Sequence, residues 1–317
     1  MAALLLRRLA ALLLTLLVAS ATIFSIMEVL PGDPAAIRLG TSARPDTLAA
    51  LRASLGLDRS APVRYAAWLG GAVSGNLGIS TTYGVPVAGL MADRLAVTLP
   101  LTLMAVALSV AIALPLGVGA AARRGGWTDA LAALFAQSST ALPNFWIGLL
   151  LILVFAARFG WLPSGGFPGW TGTGSVPAAV AALLMPAVAL ALPQAGILTR
   201  VTRGAVLATL GEDFIRTARA KGLGRPAVLW RHALRNALPA ILTVLGLQVS
   251  FLVAGSVLVE TVFALPGLGR LAIQAFAQRD ITVVEDVVLF FAGLVIVVNF
   301  AVDLAQLALD PRLREDG

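Results

Sequence analysis

The apolar positions of this chain gather into long uninterrupted blocks, not into the stripes or alternations of a soluble fold. Six blocks read as membrane spans, at about 9–30, 95–122, 131–157, 177–198, 237–259 and 287–309. Each reaches the roughly 20 residues a helix needs to cross a hydrocarbon core about 30 Å thick. The longest polar segment, roughly 31–94, follows the first block. It opens on Leu30-Pro-Gly-Asp-Pro34, whose prolines and glycine predict a turn at the membrane exit. Thr47–Leu55 predicts a short amphipathic helix ending at Gly56, and Val63–Leu69 a second ending at Gly70-Gly71. Ser74-Gly-Asn-Leu-Gly78 predicts a further turn. The segment reads as a small external subdomain over the mouth of a helical bundle.

A second polar segment, 199–236, separates the fourth and fifth blocks. Thr209-Leu-Gly-Glu212 fits a capping box with a basic amphipathic run behind it. Gly222, Gly224 and Pro226 break that run, and another follows from Ala227 to Leu238. The pattern predicts helix, tight break, helix. Proline recurs inside the spans, at Pro100, Pro115, Pro143, Pro186 and Pro193. Membrane bundles tolerate it where neighbours or cavity water satisfy the freed carbonyl.

Composition agrees with the pattern. Of 317 residues 59% are apolar and only 12% charged, about half the charge of a soluble domain, with mean hydropathy +0.92. The fold class is therefore all-α, with six transmembrane helices. The domain organisation reads as a first helix with a short N-terminus (1–30), the external subdomain (31–94), a five-helix core (95–309) and a tail (310–317). No cysteine is present, which removes disulfides, thiolate catalysis and thiolate metal sites. A single histidine, His232, leaves no imidazole cluster for a metal. Twenty-two arginines beside one lysine, in an alanine-rich chain, point to a GC-rich bacterial genome.

The net charge of +7 reports topology. With the N-terminus inside, the inner segments hold fourteen basic and six acidic residues, and the outer segments nine of each. The positive-inside bias thus places both termini in the cytoplasm. Eight of the inner basic residues lie in 199–236, including the only lysine, Lys221. No groove-binding element accompanies them, so nucleic acid is not a partner. Met1 to Arg8 and Ala19-Ser-Ala21 resemble parts of a secretory signal, but the apolar run continues to Leu30, and the first helix reads as uncleaved.

A phosphate-binding P-loop needs Gly-Lys-Ser/Thr, and the only lysine is followed by Gly222. Any ATP-driven process must use an ATPase on another chain. Phe214-Ile-Arg-Thr-Ala-Arg-Ala-Lys-Gly222-Leu, followed by Arg231-His-Ala-Leu-Arg-Asn-Ala-Leu-Pro239, resembles the cytoplasmic EAA loop of ABC importer permeases of the dipeptide/oligopeptide/nickel family. Ordered blocks along the chain carry the same resemblance. They are Leu30-Pro-Gly-Asp-Pro34, Leu55-Gly-Leu-Asp58, Tyr65 with Trp68-Leu69, Gly75-Asn-Leu-Gly78, Pro143-Asn-Phe-Trp146 and Gly160-Trp-Leu-Pro163. Glu260-Thr-Val-Phe263, Leu265-Pro-Gly-Leu-Gly269 and Asp310-Pro-Arg312 complete them. Arg216 and Thr217 stand where the general EAA pattern has Glu and Ala, a form usual in the peptide subfamily.

The resemblance implies a type I ABC importer-like permease in the bacterial inner membrane, importing peptides, or nickel, glutathione or another small solute. It implies a second homologous permease, two ABC ATPase subunits that hold ATP and magnesium, and an extracytoplasmic solute-binding protein. No cofactor is implied in this chain. The coupling surface falls on Arg216, Thr217, Ala218, Arg219, Ala220, Lys221, Gly222 and Leu223, with Arg231 and His232 behind them. By the same resemblance Gly222 lets two short helices pack closely. The other reading of Arg216, Arg219 and Lys221 is contact with anionic membrane lipid.

Four polar residues in or beside the spans are candidates for the translocation path: Gln248, Glu260, Asn299 and Asp303. Asn299 and Asp303 share a helix face, turned to the interior. Two roles stand for Asp303: a cation contact in the path, or a hydrogen bond to a neighbouring helix or subunit. An ion-driven carrier remains the rival to an ATP-driven one. It would call for more buried ionisable residues than Asp303.

Overall fold

The computed structural model describes residues 2–29, 34–39, 44–54, 56–172 and 174–309. The turn expected at residues 30–33 and the block Asp310-Pro-Arg312 fall outside them. The chain forms helices, and among the described residues the extended pairing is one isolated bridge, Ile79 to Pro86. Two compact units result, Met1–Thr98 with Pro266–Val297, and Leu99–Leu265 with Val298–Gly317.

The first unit holds α1 (Ala2–Val29), α2 (Pro34–Leu39), α3 (Pro45–Ser54), α4 (Ala61–Ser74), the start of α5 (Val87–Ala122), α12 (Leu268–Ala277) and most of α13 (Ile281–Leu309). Val87 and Met91 pack with Leu268, Leu271, Ala275, Val283, Val284 and Val287 in its core. The expected helix at 47–55 is α3. The helix at 63–69 is longer than expected. As α4 it runs through Gly70-Gly71 to Ser74 and ends at Gly75, which takes the left-handed conformation. Gly71 stays helical because its missing Cβ admits the Asn76 carbonyl oxygen, 2.6 Å from where that Cβ would sit.

Polar side chains fasten this unit. Tyr65 and Ser20 share a hydrogen bond of 2.8 Å, and Arg64 pairs with Glu28. Trp68 Nε1 donates to Asp286 Oδ1 at 2.8 Å. Farther along, Asp280 is fully buried and accepts from the Ser80 hydroxyl and from the backbone N–H groups of Thr81 and Thr82.

The second unit contains the rest of α5, then α6 (Trp127–Ala141), α7 (Asn144–Leu151), α8 (Val176–Leu210), α9 (Asp213–Ala220), α10 (Arg225–Ala227) and α11 (Leu234–Val262). A π-type stretch, Ile152–Arg158, continues α7, and another, Val228–Ala233, joins α10 to α11. Among the described residues, five helices are long and apolar enough to span a membrane. The sixth candidate is the pair Trp127–Ala141 and Asn144–Arg158, bent by 99°. The bend falls at Leu142-Pro143, where proline ends α6 and its fixed φ starts α7.

Helix α8 packs against α6, α7 and α11. Its buried face interleaves small residues, Ala182, Ala187, Ala191, Ala195 and Gly196, with larger ones such as Leu183, Met185 and Leu190. Lipid tails are as apolar as leucine, so helices here gain by close backbone approach, which small residues allow. At Gly196 that approach brings Ser139 Oγ into the space of a Cβ, with the Ala136 carbonyl 3.1 Å away.

Candidate functional site

The 199–236 segment takes the helix–break–helix form expected, with a different start. Thr209 does not cap α9. It lies in the last turn of α8, and its hydroxyl donates to the Ala205 carbonyl. The apolar face of α8 carries the helix on to Leu210, so the residue that precedes α9 is Glu212, whose side chain makes no capping bond. Asp213 in the first turn and Arg219 in the last still match the helix dipole.

Helix α9 is eight residues long and two-faced. Ile215 and Ala218 are buried, Ile215 within a cluster that includes Leu198, Val206, Val228 and Ala233. Arg216, Thr217, Arg219 and Ala220 face outward, followed by exposed Lys221 and Leu223. So short a helix is marginal alone. The two anchors Ile215 and Ala218 hold it on the unit while its basic face stays free of the core. Arg216 pairs with Asp213 at 3.2 Å across one turn, with both side chains largely in solvent. A pair so exposed adds little stability.

The helix ends in a Schellman motif. Gly222 N–H bonds the Arg219 carbonyl at 2.9 Å and Leu223 N–H the Ala218 carbonyl at 3.3 Å. Gly222 has φ +80, a conformation that costs other L-residues about 1 kcal/mol or more. No atom lies within 4 Å of the place its Cβ would take. Its requirement is therefore the left-handed turn, and the close helix packing expected there is absent. Beyond it, Arg225 bonds the Ala122 carbonyl, and the chain runs without a break from Arg225 to Val262. A pocket of about 480 Å³ opens beside this turn, lined by Ala121, Leu210, Arg219, Leu223, Arg225 and Val228. Arg231 is exposed and His232 half-buried on the outer turn of the π-type stretch. The structure thus gathers Arg216 to Leu223 around one turn, with Arg231 and His232 on the following helix.

The four path candidates do not converge. Gln248 and Glu260 are both buried on α11, but twelve residues apart, about 18 Å along the axis. Asn299 is half-buried on α13, and Asp303 is exposed instead of turned inward. Gln248 Nε2 donates to the Gln194 carbonyl at 2.9 Å, and the side-chain oxygens of both glutamines are buried without a partner. Gln194 was not among the sequence candidates. Its signal was an amide inside an apolar span, the same signal that marked Gln248. A cavity of about 210 Å³ adjoins it, lined also by Asn144, Leu190, Pro193 and Phe251. Asn144 comes from the Pro143-Asn-Phe-Trp146 block and occupies the space left by Gly255.

An ion pair escaped notice in the sequence. Asp129, one turn into α6, receives Arg203 of α8 through two nitrogens and the Gly125 N–H at 2.9 Å. It ties the turn between α5 and α6 to the end of α8 from which α9 departs. The two residues are 74 positions apart, and nothing local announces the pairing.

Comparison with known proteins places these features in context. Residues 113–315 match the family model "Binding-protein-dependent transport system inner membrane component", and residues 1–102 match the model of the N-terminal part of such membrane components. A relative in Brucella abortus (strain 2308), named for a peptide transport system permease protein, is 40% identical over 316 residues, all of both chains. The glutathione transport system permease protein of Escherichia coli (strain K12) is 35% identical over 97% of each chain. Among solved structures, a methionine ABC transporter in inward-facing conformations aligns with TM-score 0.56 at 22% identity, over 70% of this chain and 96% of that one. An amino acid ABC transporter aligns with TM-score 0.51 at 19% identity, over 69% and 93%.

Proposed function

The chain belongs to the inner-membrane components of binding-protein-dependent transport systems, and we propose that it is the permease through which peptides or a similar small solute are imported at the expense of ATP held by separate subunits. The relatives named for peptide and glutathione transport support that substrate class, since both are 35% or more identical over nearly the whole chain. The chain is itself a multi-pass membrane protein and a component of a transporter. Its positive-inside bias supports cytoplasmic termini.

The observation that carries the coupling role is the two-faced helix α9. Ile215 and Ala218 fix it to the core of the second unit, and its other face offers Arg216, Thr217, Arg219 and Lys221 to a partner. A docked ATPase that moves with ATP then pushes on α9, and the push reaches α8, α10 and α11 through the cluster around Ile215. ATP bound on another chain biases a bundle with two arrangements, which is coupling in the thermodynamic sense. The solute-binding protein delivers substrate to the opposite side, and a second related permease completes the path. Gln248, Gln194 and Asn144, beside the small cavity, are the polar groups placed to meet the solute, with Glu260, Asn299 and Asp303 elsewhere along the helices.

The test is Gly222→Asp in cells that hold the complete transporter. The change strains the turn after α9 and adds a negative charge beside Lys221. ATP-dependent uptake of a dipeptide should fall at least tenfold while membrane levels of this chain stay normal. Full uptake at normal levels would remove α9 from the coupling route.

A further inference from the structure

The second unit also carries a basic pocket that neither α9 nor the buried amides explain. It measures about 520 Å³ and lies between the first turns of α6 and the end of α8. Gly125, Asp129, Ala130 and Ala133 line one side, Arg200 and Arg203 the other. The apolar stretch of the third span begins near residue 131 and that of the fourth ends near 198. The pocket therefore straddles the depth at which both spans leave the hydrocarbon.

Its charge is unbalanced. Arg203 is committed to Asp129. Arg200 is exposed and makes no hydrogen bond or ion pair with another described residue. The side chains of Arg123 and Arg124, in the adjoining turn, are likewise exposed. Arg200 thus faces the pocket beside a neutralised pair, and Arg124 adds its charge near Asp129. Trp127, at the same turn, is 77% exposed, and an exposed tryptophan at a span end is the mark of the headgroup level. Ala130 and Ala133, one turn apart on the exposed face of α6, form an apolar wall leading from the arginines to Gln137, one turn deeper.

A cationic mouth above an apolar groove matches an amphiphile with a negative head. We propose that this pocket binds an anionic phospholipid from the leaflet at the α9 end, with Arg200 on the phosphate and an acyl chain along Ala130 and Ala133. The planar guanidinium meets a phosphate through two parallel hydrogen bonds, a geometry suited to a fixed headgroup. Arg203 is oriented by Asp129 and adds its remaining N–H groups without bringing uncompensated charge. The lipid in turn wedges α6 against α8 beside the root of α9. This role stands apart from transport, and its test reads binding alone.

The purified full-length chain is equilibrated with mixed micelles of phosphatidylglycerol and phosphatidylcholine, and bound lipid is counted by native mass spectrometry. The wild type should retain phosphatidylglycerol in preference. Arg200→Gln should cut that preference about fivefold, the effect of one basic residue near a membrane surface. Arg200→Lys keeps the charge and should keep more than half of it. Equal retention of the two lipids, or an unchanged ratio in Arg200→Gln, overturns the proposal. So does an equal loss in Arg200→Lys. If excess inorganic phosphate strips the lipid, the pocket is a small-anion site and the lipid assignment fails. If bound ATPase subunits abolish the preference, the arginines belong to a protein contact and it fails as well.

Discussion

In the first unit the short helices after α1 are fastened by polar side chains, whereas α6, α8 and α11 of the second approach closely at alanine and glycine, with Asp129–Arg203 and Gln248–Gln194 as polar links between them. Tyr65 on Ser20, Arg64 on Glu28, Trp68 on Asp286 and the Ser80–Asp280 cluster are all hydrogen bonds or ion pairs. Six of the sixteen buried residues of α8 are alanine, with Gly196 at its tightest contact. The difference follows from the surroundings. A segment rich in polar side chains can hold its position with directed bonds, whereas the hydrocarbon supplies no such partners. Helices inside it gain nothing from apolar burial and rely on fit. Fit and directed bonds fail differently under mutation, so the contrast can be tested.

The largest effect is expected where fit is tightest. Gly196→Leu puts a side chain against Ser139 and the Ala136 carbonyl and should cost about 3 kcal/mol or more, enough to lose folded protein. Thermal unfolding in detergent, followed by size-exclusion recovery, measures it.

Asp280→Ala comes next, at about 2 kcal/mol, because it strips partners from the Ser80 hydroxyl and two backbone N–H groups. Faster hydrogen exchange at Thr81 and Thr82 would locate the loss. The same group gives a dependence on pH. Burial alone would push the Asp280 carboxyl up, but the bonds from Ser80, Thr82 and Thr81 outweigh it and hold it below the ordinary value. A lowered folded value means stabilisation that is complete above the unfolded value of about 4 and is lost as pH falls through the folded one. Stability of the wild type should therefore drop below pH about 4 more steeply than that of Asp280→Asn, measured by acid titration of the folded fraction.

Trp68→Phe keeps the ring and removes the N–H, at a cost of about 1 kcal/mol, since Asp286 is then left with two buried oxygens unpaired. Limited proteolysis around α4 reads the loosening. Arg216→Ala should fall within about 0.5 kcal/mol of wild type, because its pair with Asp213 lies in solvent. If transport then falls while the melting temperature holds, the exposed face of α9 serves a partner and not the fold. If the two fall together, the contrast between anchor and face in α9 collapses.

Much of this was legible along the chain. Long apolar blocks have one economical solution in lipid, a helix that satisfies its own backbone, so five of the six spans appear as continuous helices. Gly222 could be marked as a break because a glycine after a basic amphipathic run is a helix C-cap signal. The details that failed were those set by packing at a distance. Thr209 has the sequence of a cap, yet the buried face of α8 carries that helix past it. Gly70-Gly71 look like a stop, yet the Asn76 carbonyl packs where Gly71 lacks a side chain, and α4 continues. Asp303 looked like an inward-facing group because of its depth, but which side of α13 is covered depends on its neighbours.

Local sequence alone therefore determined the helical class, the placement of the apolar spans and the helix–break–helix segment that carries the basic residues. These follow from transfer free energies and backbone preferences, which act over a few residues. Only the tertiary structure decided that Asp129 belongs to Arg203, that Gln248 reaches Gln194, that the Pro143 break bends by 99° and that Arg200 stands over an open pocket. Those are matters of which helix faces which, and close packing between residues tens of positions apart leaves no periodic trace in the chain.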